Sequence, residues 1–364
     1  MESYMKRALT LAQQGQGHVH PNPMVGAVIV KEGRVIGEGY HEVFGGPHAE
    51  IQAFARAQED LQGATMYVTL EPCSHHGKTP PCADAIIDKG IKEVHVASVD
   101  PNPLVAGQGI QRLREAGITV VLGEEDEAQW ALNKVFKTYI THKRPYVTLK
   151  TAMTTDGKIA HASGQSQWIT NDASRGSVHR TRAQVRGILI GRQTAQHDDP
   201  SLTVRLKDGQ GPHPTRIVLD THATLPTSLK LFQTAREVPT LLAVSEHTPS
   251  TRYAPFQALG VQVILVPERE GHIDVKELLA LLAVQGLDHI LVEAGSALAW
   301  SFFQANLVDE YHLYIGPKVL GGAASLTAVG GAGFPSLEHA RQLKLSTIQR
   351  FEDDVFIVYT RQEE

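Results

Sequence analysis

The sequence predicts an α/β protein built as two domains, and three observations carry this reading. At 364 residues the chain is longer than one apolar core ordinarily serves. Strand-sized apolar runs alternate with helical patterns through both halves. Near the middle, Thr141-His142-Lys143-Arg144-Pro145 is polar and ends in proline, and a strand pattern starts afresh after it. Residues 1–145 and 146–364 are therefore expected to be the two domains.

In the first, Met5, Ala8, Leu9 and Ala12 fall on one stripe, so residues 2–15 read as an amphipathic helix. Residues 25–31 and 34–41 flank Glu32-Gly33 and read as a hairpin. Residues 48–58 form a helix with Ile51, Phe54 and Ala55 on one face. Strands at 64–70, 93–99 and 118–123 are separated by helices at 83–90 and 108–117, which Gly90 and Gly117 stop. A long helix over 126–141 closes the domain. The alternation implies a layer sandwich with a partly parallel sheet. The second domain alternates again, with strands at 146–153, 186–191, 215–220, 239–244, 261–266 and 289–294. Helices are expected at 274–286 and 297–306, and a last pair of strands, 344–350 and 354–361, turns at Glu352-Asp353. There is no internal repeat and no low-complexity tract.

Hydrophobic residues make up 42% of the chain and charged residues 20%, an ordinary globular balance. Apolar segments such as Ile188–Ile190 and Val261–Val266 are too short for a membrane span. Residues 1–20 hold no continuous apolar stretch, so no secretory leader is expected. Lys and Arg total 34 against 39 Asp and Glu, a net charge of -5, which is a poor grip on nucleic acid. With Cys73 and Cys82 as the only cysteines, no disulfide framework carries the fold, and a cytoplasmic, reducing location is the expectation.

The chemistry-bearing residues of the first half are Pro47-His48-Ala49-Glu50 and the run from Glu71-Pro72-Cys73 to Pro80-Pro81-Cys82. Catalytic zinc takes three protein ligands and leaves a fourth position for water, and His48, Cys73 and Cys82 supply that count. His48 opens a helix, Cys73 follows a strand, and Cys82 starts a helix, where the dipole favours a thiolate. Glu50, two residues beyond His48, suits proton transfer from a zinc-held water to a leaving amine. His75 or His76 can instead complete a closed, structural site, and at this point that alternative stays open. The pairing of H-x-E with a later P-C is the signature of zinc deaminases.

Those residues resemble the cytidine-deaminase superfamily, with one departure: eight residues separate the cysteines where two are commoner. With that spacing, TLEPCSHHGKTPPCADAII and the earlier PNPMVGAVIV look like the deaminase half of the bifunctional riboflavin-biosynthesis family, across residues 1–145. The resemblance implies a cytidine-deaminase-like fold and loss of the 2-amino group of 2,5-diamino-6-ribosylamino-4(3H)-pyrimidinone 5′-phosphate as ammonia. It implies that His48, Cys73 and Cys82 hold Zn²⁺ and that Glu50 shuttles protons. Asn22, His41, His75 and Lys78 would touch the substrate, Lys78 at its phosphate. Read as residues alone, Asn22 is a turn in Pro-Asn-Pro and Lys78 a solvated charge.

In the second half, Leu291–Phe302 reads as strand, turn and helix, whose free N–H groups at Ala294–Ser296 can cradle a pyrophosphate. It is not G-x-G-x-x-G, and such turns often carry glycine for geometry only. LKTAMTTDGKIA (149–160), SGQSQWIT (163–170), ILIGRQTAQHDDPSLTVR (188–205), IVLDT (217–221), VEAG (292–295) and IGPKVLGG (315–322) occur in that order. Together they resemble the reductase half of the same family, with a dihydrofolate-reductase-like α/β fold. NADPH-dependent reduction of the ribosyl group to ribityl follows from the resemblance, with hydride delivered to C1′ of the opened sugar.

By the same resemblance Ala152, Trp168, Thr194, Asp198, Thr221 and the turn of Gly295, Ser296, Ala297, Leu298, Ala299, Trp300 and Ser301 line the cofactor. Ser166, Arg182, Leu202, Arg205 and Glu293 would hold the substrate, the arginines suiting its phosphate. Asp199 and Lys150 are candidates for proton transfer. The bland alternatives are core packing for Trp168, a solvated helix face for Arg182 and a plain turn for Asp198-Asp199-Pro200. Two features depart from the pattern. Ala294 stands where the family more often has a second glycine, and Asp220 ends a strand as does the acid that binds a free ribose 2′-hydroxyl in NAD enzymes. The expected partners are a pyrimidine ribonucleotide and further copies of the chain, as a dimer or tetramer, with neither nucleic acid nor membrane. A zinc deaminase acting on RNA bases is the competing reading, which the acidic balance disfavours.

Overall fold

The structure, a computed structural model, describes residues 3–74, 80–103, 105–206 and 211–362. The chain divides into two compact units, Met1–Arg144 and Pro145–Glu364. No helix among the described residues is long and apolar enough to cross a membrane.

The first unit runs α1 (Tyr4–Gln13), β1 (Gly26–Lys31), β2 (Arg34–Tyr40), α2 (Ala49–Ala55), β3 (Thr65–Leu70), α3 (Cys82–Asp88), β4 (Glu93–Ser98), α4 (Gln108–Glu115), β5 (Thr119–Leu122), α5 (Asp126–Leu132) and α6 (Lys134–His142). Ser3 caps α1 by accepting from the Lys6 N–H. Its sheet has the order β2-β1-β3-β4-β5, antiparallel across β2-β1-β3 and parallel from β3 to β5. Alternation along β1 sends Ala27 and Ile29 to the core shared with Ala49, Ala53, Ile86 and Leu113 of α2, α3 and α4. Val28 and Val30 go to the other face, against Met5 and Ala8 of α1. Helix α1 lies so close that a Cβ at Gly26 would sit 2.0 Å from the Ala8 carbonyl oxygen. The expected single helix over 126–141 is two, broken at Asn133, whose φ of -106° and ψ of 26° leave the helical region.

The second unit comprises β6 (Tyr146–Thr154), β7 (Lys158–Ala160), α7 (Asp172–Gln184), β8 (Gly187–Gly191), α8 (Arg192–Asp198), β9 (Thr215–Leu219), α9 (Lys230–Gln233), β10 (Thr240–Ser245), α10 (Ser250–Ala258), β11 (Gln262–Val266), β12 (Glu268–Arg269), β13 (His272–Ile273), α11 (Val275–Val284), β14 (His289–Glu293), α12 (Ser296–Gln304), β15 (Glu310–Gly316), β16 (Leu326–Thr327), β17 (Leu343–Phe351) and β18 (Asp354–Arg361). Nine strands form one sheet, β11-β10-β9-β8-β14-β6-β15-β18-β17, parallel through β15 and closed by the antiparallel β18-β17 pair. Its two faces carry separate cores, one with Leu278, Leu282 and Phe302, the other with Leu231, Phe232 and Phe256. Sequence periodicity missed α7, α8, α10 and β15. Helix α7 turns only Ser174 and Ser177 fully inward, so it shows no apolar stripe, although Asn171 caps it through the Ser174 N–H.

Arg216 of β9 is the largest fully buried side chain in the chain's described core. Its guanidinium donates to the carbonyls of Leu231 and Val238 at 2.9 Å each, to that of Thr234 at 3.1 Å, and to Thr240 Oγ1 at 2.7 Å. Burial lowers its pKa to about 10, still cationic at neutral pH. One side chain thus ties the chain after α9 to the β9–β10 pair. Arg216→Ala removes the guanidinium donors from these acceptors and is expected to destabilise the second unit by about 2–4 kcal/mol, read as a lowered urea midpoint for that transition.

Candidate active sites

In the first unit, strand ends and helix starts converge on one point. His48 is the N-cap of α2, Cys73 lies just past β3, and Cys82 is the first residue of α3 behind Pro81. The three donor atoms lie within 4.8 Å of one another, with His48 Nδ1 3.6 Å from Cys73 Sγ and 3.3 Å from Cys82 Sγ. Tetrahedral zinc with ordinary Zn–N and Zn–S bonds sets such separations at about 3.6 Å. The donor set therefore fits zinc, and among the described residues no fourth His, Cys, Asp or Glu joins the group. His75 and His76, which a closed site would need, lie outside the described residues, as does Lys78.

Electrostatics favour a cation there. The hydrogen bond from Cys82, with help from His48, holds Cys73 down at about 4, and the same bond pushes Cys82 up. A divalent ion held there would replace that shared proton and favour both sulfurs as thiolates. Glu50 is buried beside the group, and burial raises its affinity for a proton. Asn22 and His41 also meet here. His41 Nδ1 is 3.0 Å from the Pro47 carbonyl and so carries the proton, leaving Nε2 to accept from Asn22 Nδ2 at 3.2 Å. Burial lowers the pKa of His41, consistent with this neutral tautomer.

Glu71 is a site-building residue that sequence reasoning passed over. Its carboxylate accepts from the backbone N–H groups of Asp100 (3.2 Å), Gly107 (2.9 Å), Gly109 (2.9 Å) and Ile110 (3.3 Å). The loop bearing Cys73 is thereby fastened to the start of α4, and a Cβ at Gly109 would meet the Pro72 carbonyl at 1.9 Å. An acid directly before Pro-Cys was the available signal.

In the second unit a cavity of 1740 Å³ opens near β6, β14, α7 and α8, larger than the ~300–1,000 Å³ of a single small-ligand pocket. Ala152, Ser166, Trp168, Arg182, Thr194, Asp198, Leu202, Arg205, Glu293, Gly295, Ser296 and Ala297 all border it, with Lys150. Arg182 grips Glu293 with both donors, at 2.7 and 2.9 Å, and Lys150 Nζ is 3.7 Å from the same carboxylate. Burial alone would raise the pKa of Glu293, but Arg182 and then Lys150 overcome it and hold the value at about 2. Burial, Arg182 and Arg205 depress His179 to about 4. Asp198 accepts from Ser166 Oγ at 3.3 Å, and burial pushes its pKa up. Trp168 is 59% exposed, with the Arg175 guanidinium 4.5 Å from its ring centre, so it walls the cavity and is not core packing.

Other residues expected here are elsewhere. On helix α12, Leu298 and Ala299 turn to the core side, and Trp300 and Ser301, one turn further along the side of Ala297, do not border the cavity. Leu298 packs on the apolar core and Ala299 is fully buried in it. Trp300 meets Phe334, and Ser301 Oγ donates to the Ala297 carbonyl at 3.2 Å. Thr221 follows β9, where its carbonyl accepts from Ser245 N and Thr248 Oγ1, and it does not border the cavity. Asp199, at the end of α8, accepts from the Lys230 N–H at 2.8 Å and is likewise outside it. Asp220 is not a ribose reader: its carboxylate is buried and accepts from Thr224 N (2.6 Å), Thr224 Oγ1 (3.1 Å) and Leu225 N (2.7 Å). Ala294 borders the cavity while packing on the core, and Gly295 caps α12 in an extended conformation with no side-chain cap to occupy the free N–H groups.

Comparison with known proteins bears on both sites. Residues 1–98 match the cytidine and deoxycytidylate deaminase zinc-binding region, and residues 145–357 match the RibD C-terminal domain. The riboflavin biosynthesis protein RibD of Actinobacillus pleuropneumoniae is 45% identical over 357 residues, 98% of this chain and 94% of that one. Acinetobacter baumannii RibD superposes with a TM-score of 0.88 at 36% identity, covering 99% of this chain and 98% of that one. A Thermotoga maritima diaminohydroxyphosphoribosylaminopyrimidine deaminase/5-amino-6-(5-phosphoribosylamino)uracil reductase gives 0.85 at 38% identity, with coverage of 99% and 98%. The chain belongs to the RibD family of riboflavin biosynthesis, bifunctional enzymes that join a zinc-dependent deaminase to an NADPH-dependent reductase.

Proposed function

We propose that residues 1–145 deaminate diaminohydroxyphosphoribosylaminopyrimidine, the substrate in the name of the Thermotoga relative, and that residues 146–364 reduce the ribosyl group of the product to ribityl. The observation that carries the reading is the three-donor group of His48, Cys73 and Cys82 with buried Glu50 beside it. Zinc held there supplies a water molecule acidified to near neutral pH. Glu50 takes a proton from the water that adds to the amino-bearing carbon and gives it to the amine, which leaves as ammonia. Its burial favours the protonated carboxyl that this transfer forms. Asn22 and His41 hold the pyrimidine, and by family resemblance His75 and Lys78 complete the contacts, Lys78 at the phosphate.

In the second site NADPH supplies the hydride that reaches C1′. The free N–H groups at Gly295–Ala297 suit its pyrophosphate, and Ala152, Trp168, Thr194 and Asp198 line the rest. Arg205 suits the substrate phosphate, while Arg182, engaged by Glu293 and the Thr203 carbonyl, orders the cavity wall beside Ser166, Leu202 and Glu293, which suit the sugar. Lys150, beside Glu293, is our choice for the accompanying proton. Self-association as a dimer or tetramer is supported by the edge strand β17, where Leu345 and Ile348 are exposed. Two cysteines joined by no disulfide support a cytoplasmic setting. The RNA-base alternative is not favoured, given relatives matched over nearly the whole chain and the net charge of -5.

Three outcomes are expected. Glu50→Gln retains zinc but lowers ammonia release by about 10²-fold or more, while NADPH oxidation with the deaminated intermediate continues; deamination at the wild-type rate would remove Glu50 from the mechanism. A chelator that strips zinc stops ammonia release and leaves the reductase running, since the metal group lies wholly in the first unit. The third concerns pH. A carboxylate with a depressed pKa stabilises the fold above its ordinary value, and this is lost as pH falls through about 2, so the Arg182–Glu293 pair is constant across the working range. Arg182→Ala leaves burial as the dominant influence on Glu293 and raises its pKa. The variant's reductase kcat/KM should then decline as pH drops from about 8 to 5, a slope absent from the wild type when both profiles are measured.

A further inference from the structure

Asn133, at the break between α5 and α6, is nearly fully buried yet carries a polar amide. Both ends of that amide are used on a single residue, 109 positions away. The Met24 N–H donates to Asn133 Oδ1 at 2.8 Å, and Asn133 Nδ2 donates to the Met24 carbonyl at 2.9 Å. The side chain acts toward Met24 as a neighbouring β-strand would, satisfying one donor and one acceptor just before β1 begins. An apolar residue would pack there more cheaply, so the amide's burial is offset only by this two-point grip.

What the grip controls lies two residues upstream. Pro23 has a fixed φ and restricts Asn22 to extended conformations, so anchoring Met24 leaves the Asn22 backbone little freedom. The Asn22 N–H is itself bonded to the Val19 carbonyl at 2.8 Å, which fixes the other side of the turn. From there Asn22 Nδ2 reaches His41 Nε2, and His41 Nδ1 reaches the carbonyl of Pro47, the neighbour of His48. Asn133 lies beyond the zinc-binding region matched at residues 1–98, so this element comes from outside the stretch shared with the wider deaminases.

We propose that Asn133 is a positioning residue of the deaminase, holding the Pro21–Met24 segment so that Asn22 and His41 face the pyrimidine. The inference rests on the reading of Asn22 as a substrate contact. The test is steady-state deamination of the diaminopyrimidine ribonucleotide by full-length Asn133→Leu, Asn133→Asp, Asn22→Ala and the Asn133→Leu/Asn22→Ala double variant, with zinc content and reductase rate measured on each. Asn133→Asp keeps the size of the residue but sets a carboxylate oxygen against the Met24 carbonyl, so it carries the test should the Leu variant not fold. Each Asn133 variant is expected to raise the deaminase KM about tenfold, with kcat within about threefold, and with zinc and reductase rate unchanged. The double variant should match Asn22→Ala within about twofold, because both substitutions remove one effect. Fully additive effects, or a wild-type KM in the Asn133 variants, would overturn the proposal. A wild-type KM in Asn22→Ala would overturn it too, by removing the substrate contact on which it rests.

Discussion

The first unit is organised around one electrostatic demand: an imidazole and two sulfurs must stand within bonding reach of the same point. None of the three is adjacent in sequence, so the fold meets the demand with secondary-structure termini. A helix start supplies His48, a strand exit supplies Cys73, and a second helix start supplies Cys82. Termini are where unpaired N–H groups and a favourable dipole already accumulate, and the Cys82 N–H donates to Cys73 Sγ at 3.3 Å. Loops alone would leave such a convergence loose. Here Glu71 removes the slack by binding three backbone N–H groups at the start of the neighbouring helix and that of Asp100. The three donors, the buried acid and the Asn22 turn are therefore gathered about one point.

The second unit solves the opposite problem, keeping charges ionised in a buried place. Glu293 would take up a proton were it alone, and Arg182 would be costly were it alone. Their two-point pairing, with Lys150 alongside, leaves a permanently charged floor in the cavity. Arg216 shows the same logic with no direct ion pair among the described residues, its positive charge spread over carbonyl and hydroxyl oxygens. Both arginines trade solvation for fixed geometry.

Much of this was legible in the sequence, and the exceptions have physical reasons. His48, Glu50, Cys73 and Cys82 stood out because metal chemistry restricts residue type and spacing at once. Strands announced themselves by apolar runs, and the hairpin by Glu32-Gly33. Helix α7 escaped because serines face its core side, and the long helix over 126–141 was drawn unbroken because nothing local marks Asn133. Glu71 and Asn133 act on backbone atoms far along the chain, which no local pattern encodes. Within the stretch 298–301 the sequence motif does not separate core-facing Leu298 and Ala299 from the rest of the turn. Asp220 was misleading in another way: an acid at a strand end resembles a ribose reader until its hydrogen bonds are counted.

That last residue sets a limit on redesign. In many dinucleotide enzymes, coenzyme choice is retuned by exchanging the acid at the end of the second strand for a neutral or basic side chain. Here the equivalent exchange would release the N–H groups of Thr224 and Leu225 inside the protein and unravel the turn they close. Any retuning of coenzyme choice in this reductase would have to begin somewhere other than Asp220.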